Sequence, residues 1–158
     1  DGLHFERDTS NPIFAPHGDW NNGRAIDADV IAADDRLFLY FATRDPGGRV
    51  QKLGVATAPL DSDFGRDAWT QQCGTSILEP TLPWEQDCIE APAVCRRKGR
   101  FFMFYGGLFP DAGMTYNDAF FVAVKRNNNE LCGFILINAS TSFFCKMTGR
   151  YKSFQTIR

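Results

Sequence analysis

The sequence contains an internal repeat. This repeat restricts the possible folds of the chain more than any other feature does. Two segments of sixteen residues begin 64 residues apart: residues 5–20, FERDTSNPIFAPHGDW, and residues 69–84, WTQQCGTSILEPTLPW. Each segment opens on an aromatic residue, has an isoleucine and a proline at matching places, and closes on tryptophan. These ordered matches indicate two copies of one structural unit.

Each unit continues with a pattern of short strands. Ile26-Asp27-Ala28 matches Ile89-Glu90-Ala91 at an offset of 63 residues, and an apolar segment, a charged turn and an aromatic segment follow each triplet. A repeated unit of four antiparallel strands predicts an all-β fold and is typical of a β-propeller blade. In the first complete unit we expect four strands, joined by turns rich in Asp, Gly and Pro, at residues 26–33, 36–43, 50–58 and 68–73.

Composition limits the function classes. The chain has 158 residues, of which 44% are hydrophobic, and this is enough to bury one core. A net charge of -2 gives no basic surface for nucleic acid, and no run approaches the roughly 18 apolar residues of a membrane span. The five cysteines form no CxxC pair, so we expect unbridged, mostly buried thiols and no structural zinc site. A Cys88–Cys95 disulfide is left open.

Two carboxylates at otherwise apolar positions form the candidate site. In a propeller, the innermost strand of each blade lines a central channel, and Asp27 and Glu90 stand at matching places in successive units. We therefore expect both side chains to face one cavity. Strand alternation places Asp29 on the face of Asp27, where it supports Asp27 or binds water. The alternative is that these acids only accept hydrogen bonds from turn amides.

Two segments carry a resemblance to a known family. AIDADVIAADDRLFLYFA, from residue 25, and CIEAPAVCRRKGRFFMFYGG, from residue 88, resemble the openings of the second and third blades of glycoside hydrolase family 43. Those blades begin Ile-Asp-Pro and Ile-Glu-Gly-Pro, so Ala28 and Ala91 are departures, both to small residues. The resemblance covers residues 1–125. It implies part of a five-bladed propeller: the end of blade one, blade two and most of blade three.

The resemblance also implies catalytic roles. Glu90 resembles the general acid that protonates the leaving glycosidic oxygen, and Asp27 resembles the aspartate that raises the pKa of that acid and orients it. Members of the family hydrolyse arabinofuranosides and xylosides with inversion, using another carboxylate as the base for water. In the family this base precedes the segment that residues 1–5 resemble. We therefore expect it upstream of residue 1, and expect this chain alone not to hydrolyse glycosides efficiently.

The end of the sequence differs from the repeat. Residues 126–158 contain no tryptophan and no proline, and nothing there matches the linker that a further unit would need. We therefore predict two regions, a partial propeller of glycosidase type at residues 1–125 and a divergent segment at residues 126–158. Within the first region, Trp20 and Trp84 are expected either to stack on sugar rings or to pack between blades.

Other functions remain as alternatives. The first is a carbohydrate-binding propeller without turnover, and the second is a propeller scaffold for protein partners. A fructan-active relative of the family-32 type is a third alternative, because Arg44-Asp45-Pro46 is similar to a motif of the fructan-cleaving families 32 and 68. This motif follows a strand here and precedes two glycines, which favours a hairpin turn. The expected partner is a carbohydrate, with no nucleic acid or membrane, and no cofactor is predicted. A calcium ion in the channel, the sugar and the compartment are left open.

Overall fold

The computed structural model describes residues 2–83, 85–107, 119–125, 135–138, 143–147 and 150–154. In this part of the chain the elements are β-strands paired antiparallel, with one short 3-10 helix, Arg66–Ala68, between two of them. The predicted all-β class is confirmed. None of the described elements is a helix of the length and apolar character needed to cross a membrane.

The first sheet contains four strands in sequence order, which are β1 (Ile26–Ala33), β2 (Arg36–Arg44), β3 (Gln51–Pro59) and β4 (Thr70–Gln71). The first three agree with the predicted strands to within one residue at each end, whereas β4 is shorter than predicted. Near the end of β2 the side chains of Phe41 and Ala42 are both buried. The sheet is therefore covered on both faces there, which explains why apolar residues run on instead of alternating.

The turn between β2 and β3 is encoded by its own residues. The carbonyl of Asp45 accepts a hydrogen bond from the amide of Gly48 at 2.8 Å, and the Asp45 carboxylate accepts from the amides of Arg49 and Val50 at 2.6 and 3.0 Å. Gly48 has a φ of 71°, a conformation that glycine adopts without steric cost. The hairpin turn predicted for Arg44-Asp45-Pro46 is confirmed.

The second sheet contains six strands in sequence order, and the last three come from the segment that matches nothing in the repeat. The first sheet thus has the four strands expected of a complete unit, whereas the second sheet continues beyond β7 with strands of the divergent segment. The physical reason is that consecutive antiparallel strands pair in order, so β8 adds to β7 and the sheet continues. Its strands are β5 (Ile89–Arg97), β6 (Arg100–Gly107), β7 (Ala119–Lys125), β8 (Ile135–Asn138), β9 (Phe143–Met147) and β10 (Arg150–Phe154).

The two sheets pack together through a fully buried cluster in which Ala42 and Leu53 of the first sheet meet Ile89 and Tyr105 of the second. A second cluster lies within the first repeat unit and contains Trp20, Leu39, Phe41 and Ala56. Burying large apolar side chains of this kind stabilises a fold by about 1.5–3 kcal/mol each. The first cluster therefore joins the start of β5 firmly to β2 and β3.

The chain between β4 and β5 runs back along the outer side of β3. The amide of Gln72 donates to Val55, the amide of Leu53 donates to Leu78, and the amide of Gln51 donates to Asp87, at 3.1, 3.0 and 2.7 Å. This linker thus follows β3 toward the end where β5 begins. It determines where the second sheet starts relative to the first.

Cys73, Cys88 and Cys95 are reduced thiols, so the disulfide left open between Cys88 and Cys95 does not form. Cys88 is buried, Cys73 is half-buried and Cys95 is exposed. The expected burial is therefore found at Cys88 only among these three. Cys132 lies outside the described residues, and for Cys145 of β9 the structure describes the backbone alone.

Candidate active site

Glu90 is the second residue of β5 and lies at the junction of the two sheets. The preceding residue, Ile89, is fully buried in the cluster that joins the sheets, and Glu90 itself is 5% exposed. Packing of the isoleucine fixes the start of β5 and brings the next side chain below the surface. A carboxylate in such a place needs a polar partner, because a buried charge without one is strongly unfavourable.

The partner of Glu90 is Gln51, the first residue of β3. The Nε2 of Gln51 donates a hydrogen bond to Oε2 of Glu90, and the Oε1 of Gln51 accepts one from Nε of Arg44 at 3.1 Å. Arg44 and Gln51 are directly opposite each other where the β2–β3 hairpin begins. Sequence reasoning did not find either residue, although both flank the turn that it did predict.

Both acid-bearing strands have a bulge at the same place. The pairing of β1 with β2 shifts between Ile26 and Asp29, and that of β5 with β6 shifts between Glu90 and Ala93. Ile26 pairs with Ala42 and Glu90 pairs with Gly106, so the structural offset is 64 residues. By strand pairing, Glu90 therefore corresponds to Ile26 and not to Asp27. The sequence-based match of Asp27 with Glu90 is one residue away from this structural pairing.

Asp27 itself lies within the bulge of β1 and is exposed, with a φ of 51°. Its counterpart by pairing, Ala91, has a φ of 50°. Bulges turn a side chain away from the regular alternation of a strand, and they are frequent beside functional sites. The bulge thus separates Asp27 from Asp29, and the predicted common face of these two acids is interrupted.

Asp29 connects the two sheets. Its Oδ2 accepts a hydrogen bond from the backbone amide of Val94 in β5 at 2.6 Å. Across the β1–β2 pair it lies opposite Tyr40, and burial together with the charge of Asp29 raises the pKa of Tyr40 to about 12. Asp29 was expected to support Asp27 or to bind water. The structure instead places it in a backbone contact between β1 and β5.

Trp20 is in the core. Its side chain is 8% exposed and packs with Leu39, Phe41 and Ala56, and Nζ of Lys52 lies 5.6 Å from the ring centroid. The Nε1 atom of Trp20 is buried and has no hydrogen-bond partner among the described residues. This burial favours packing over sugar stacking for Trp20. Trp84, for which the same two roles were expected, lies outside the described residues.

A second buried carboxylate, Glu85, lies just before β5. Its Oε2 accepts from the amides of Thr81 and Leu82 at 2.7 and 2.8 Å, and its Oε1 accepts from the hydroxyl of Tyr105 at 2.8 Å. Glu85 is 2% exposed, and burial together with this hydrogen bond raises the pKa of Tyr105 well above its usual range. The sequence contained no signal for this contact beyond an acid within an aromatic and apolar stretch.

The described surface also has a groove, which lies away from Glu90. This groove of about 500 Å³ lies at one end of the β2–β3 pair, where Arg36 is opposite Pro59. Arg44 and Gln51 lie at the other end of the same pair. The other lining residues of the groove are Asp35, Leu60 and Asp61. Within the described residues no group of three or more His, Cys, Asp or Glu side chains could hold a metal ion. The Arg44–Gln51–Glu90 arrangement is therefore the site with the clearest built geometry.

Comparison with known proteins finds a relative over part of the chain. No model of a protein family matches the sequence. The chain is 30% identical over 91 residues to an alpha-L-arabinofuranosidase 43 of Humicola insolens, and this match covers 55% of the chain and 18% of that protein. The chain thus spans a small share of the length of this relative. It is similar, over that part, to a glycoside hydrolase.

Proposed function

We propose that the chain is part of a glycoside hydrolase of the family-43 type, and that its two sheets are successive blades of a β-propeller. The proposed reaction is hydrolysis of an arabinofuranoside or xyloside with inversion of configuration. The observation that carries the proposal is the burial of Glu90 at the first strand of the second sheet, paired with a neutral amide. The partial identity to an arabinofuranosidase supports it.

Glu90 is the proposed general acid. A general acid must hold its proton at a fixed distance from the leaving oxygen, so its side chain has to be held in one orientation. Ile89 fixes the backbone at this point, and Gln51 holds one carboxyl oxygen. Glu90 is thereby held on both sides, as proton transfer to a glycosidic oxygen requires.

Asp27 is the proposed acid that accompanies Glu90. It lies in the bulge of β1, and β1 packs alongside β5, which begins with Ile89 and Glu90. An inverting mechanism also needs a carboxylate that acts as base for the attacking water. We assign no described residue to that role, so an added nucleophile is part of the test below.

The propeller arrangement is supported by the packing of the sheets. The first strand of the second sheet, β5, packs against β1, β2 and β3 of the first sheet, and both sheets are antiparallel with strands in sequence order. Successive blades of a propeller pack face to face in this way. We further propose that these blades belong to a closed ring.

The test uses aryl arabinofuranosides and xylosides with good and poor leaving groups, assayed with and without azide as an external nucleophile. Glu90→Gln keeps the size of the side chain but cannot donate a carboxyl proton. We expect this variant to lose about 10²–10⁴-fold in rate on poor leaving groups while it still binds the sugar. The exposed Glu79→Gln is the matched control and is expected to behave as the unchanged chain does.

Equal turnover by Glu90→Gln and the unchanged chain would refute the assignment of Glu90. Sugar binding without turnover under any of these conditions would favour the carbohydrate-binding alternative. Absence of sugar binding by the unchanged chain would leave the scaffold alternative.

A further inference from the structure

The side-chain amide of Gln51 has a defined orientation because of Arg44. A guanidinium group only donates hydrogen bonds, so the atom of Gln51 that faces Arg44 must be the carbonyl oxygen. The NH₂ group then faces Glu90, and it can only donate to the carboxyl oxygen Oε2. The chemistry of the arginine thus fixes the direction of every hydrogen bond in this chain of three residues.

We propose that Gln51, oriented by Arg44, is the positioning residue of Glu90: it holds Oε2 as a permanent acceptor and leaves Oε1 as the oxygen that carries and releases the proton. This inference rests on the function proposed for Glu90. It adds which of the two carboxyl oxygens reacts and which residues select it.

The backbone makes Gln51 suitable for this task. Its amide donates to the carbonyl of Asp87 at 2.7 Å, and Gln51 forms an isolated β-bridge with Cys88. The residue is therefore tied to the chain just before Glu90 by its main chain and to Glu90 by its side chain. With 1% of its surface exposed, the side chain of Gln51 is held in place by its surroundings.

Arg44 is fixed in turn by the hairpin. Its Nη1 donates to the carbonyl of Gly48 at 3.2 Å, within the turn that Asp45 stabilises. The RDPGGRVQ segment from residue 44 to residue 51 thus forms a rigid support for Glu90. When the residues that position a catalytic acid are themselves fixed by hydrogen bonds, the acid keeps its position during the reaction.

The bond between Oε1 of Glu90 and its proton breaks, and its electron pair stays on the carboxylate. The proton forms a bond to the glycosidic oxygen, which leaves with the electron pair of the broken carbon–oxygen bond. On the opposite face of the sugar, the added azide uses its own electron pair to form the new bond to the anomeric carbon. The new negative charge of Glu90 is stabilised by the N–H of Gln51, which the positive charge of Arg44 polarises.

The positioning can be tested without catalysis. In the nitrogen-15-labelled chain, we expect the side-chain NH₂ signals of Gln51 to respond to pH through the carboxyl group of Glu90, to which this NH₂ group donates. Glu90→Gln should remove this pH response, and Arg44→Lys, which keeps the charge but not the donor geometry, should weaken it. The exposed amide of Gln72, bonded to Thr57, is the internal control and should show no such change. An unchanged Gln51 signal in the Glu90→Gln chain would overturn the proposal.

The consequence for proton transfer is tested by the leaving-group dependence of Gln51→Leu, with Gln51→Glu as a second variant of nearly the same shape. We expect at least a roughly tenfold greater loss on poor than on good leaving groups, since only poor ones need the proton. Gln72→Leu should leave the ratio unchanged. An unchanged ratio in both Gln51 variants, with Glu90→Gln still defective, would refute the positioning role and leave the proposed function standing. If the unchanged chain and all variants are inactive while the Gln51 NH₂ signals still respond to pH, the proposed function is refuted and the Gln51–Glu90 contact is supported.

Discussion

The hydroxyl of Tyr105 donates a hydrogen bond to the buried carboxylate of Glu85 at 2.8 Å, and this contact joins β6 to the loop that leads into β5. The same carboxylate accepts from two loop amides, so Glu85 holds the loop and Tyr105 holds Glu85. The start of β5, where Glu90 lies, therefore depends on a group five residues earlier in the chain.

Tyr105→Phe should reduce the free energy of unfolding by about 1–3 kcal/mol, because a buried carboxylate oxygen then loses its donor. Denaturant unfolding of the purified chain measures the change. Tyr40→Phe is the matched control, since it removes the same hydroxyl from a half-buried ring, and it should cost less. A Tyr105→Phe chain as stable as the unchanged one would show that Glu85 does not depend on this contact.

Ala91→Gly should stabilise the chain. The φ of 50° at Ala91 is unfavourable for any residue with a Cβ, and glycine removes that cost, so we expect a gain of roughly 1 kcal/mol. Ala93→Gly, at an exposed position of the same strand, is the control and should destabilise by about 0.5–1 kcal/mol. If both changes destabilise equally, the left-handed conformation of Ala91 is not a source of strain.

Gly54→Ala should be among the most damaging small changes in the first sheet. A Cβ on residue 54 would overlap Cζ of Phe41 and lie 2.9 Å from Cη2 of Trp20, and both rings are buried. Overpacking of this kind costs about 1–3 kcal/mol. Gly74→Ala, where a Cβ would meet nothing within 4 Å, should change the thermal midpoint little. Similar midpoints for the two variants would contradict the close packing of Phe41 on Gly54.

Stability should fall at alkaline pH partly because of Tyr40. Its pKa is about 12 in the folded chain against 10.0 for an ordinary tyrosine, through burial first and the charge of Asp29 second. Because the folded value is the higher one, this contribution to stability is complete below pH 10 and is lost as the pH rises to 12. Absorbance titration of tyrosinate and thermal melts over this range measure the two effects.

Asp29→Asn tests the cause of that shift. The pKa of Tyr40 should move below its value in the unchanged chain and remain above 10.0, because the larger cause, burial, is still present. Asp35→Asn removes a charge at an exposed position and is the control. A tyrosine titration that does not change in Asp29→Asn would mean that the carboxylate has no electrostatic effect on Tyr40.

The strands and their turns could be predicted because local residues determine them. Alternating and continuous apolar runs marked β1, β2 and β3, and Asp45 with the two following glycines marked the hairpin. The place of Glu90 at the start of a strand could also be predicted, since its neighbours on both sides in the sequence are apolar. These features depend on short stretches of chain whose preferences agree with the fold.

The pairing and the contacts of the site could not be predicted in the same way. A bulge adds one residue to a strand without changing its composition, so the match of Asp27 with Glu90 was one residue away from the structural pairing. Gln51 lies 39 residues before Glu90, and nothing local to either residue indicates their contact. The alternation that placed Asp29 beside Asp27 failed for the same reason, because the bulge lies between them.

The linker between β4 and β5, which runs along the edge of β3, also affects the solubility of the chain. Its hydrogen bonds use backbone groups of Gln51, Leu53 and Val55 that would otherwise face outward along an open edge. An open edge is a template for strands of other molecules, and such pairing leads to aggregation. The linker that directs the chain toward Glu90 therefore also shields β3 from addition of foreign strands. Changes that loosen this linker should first become visible as intermolecular association.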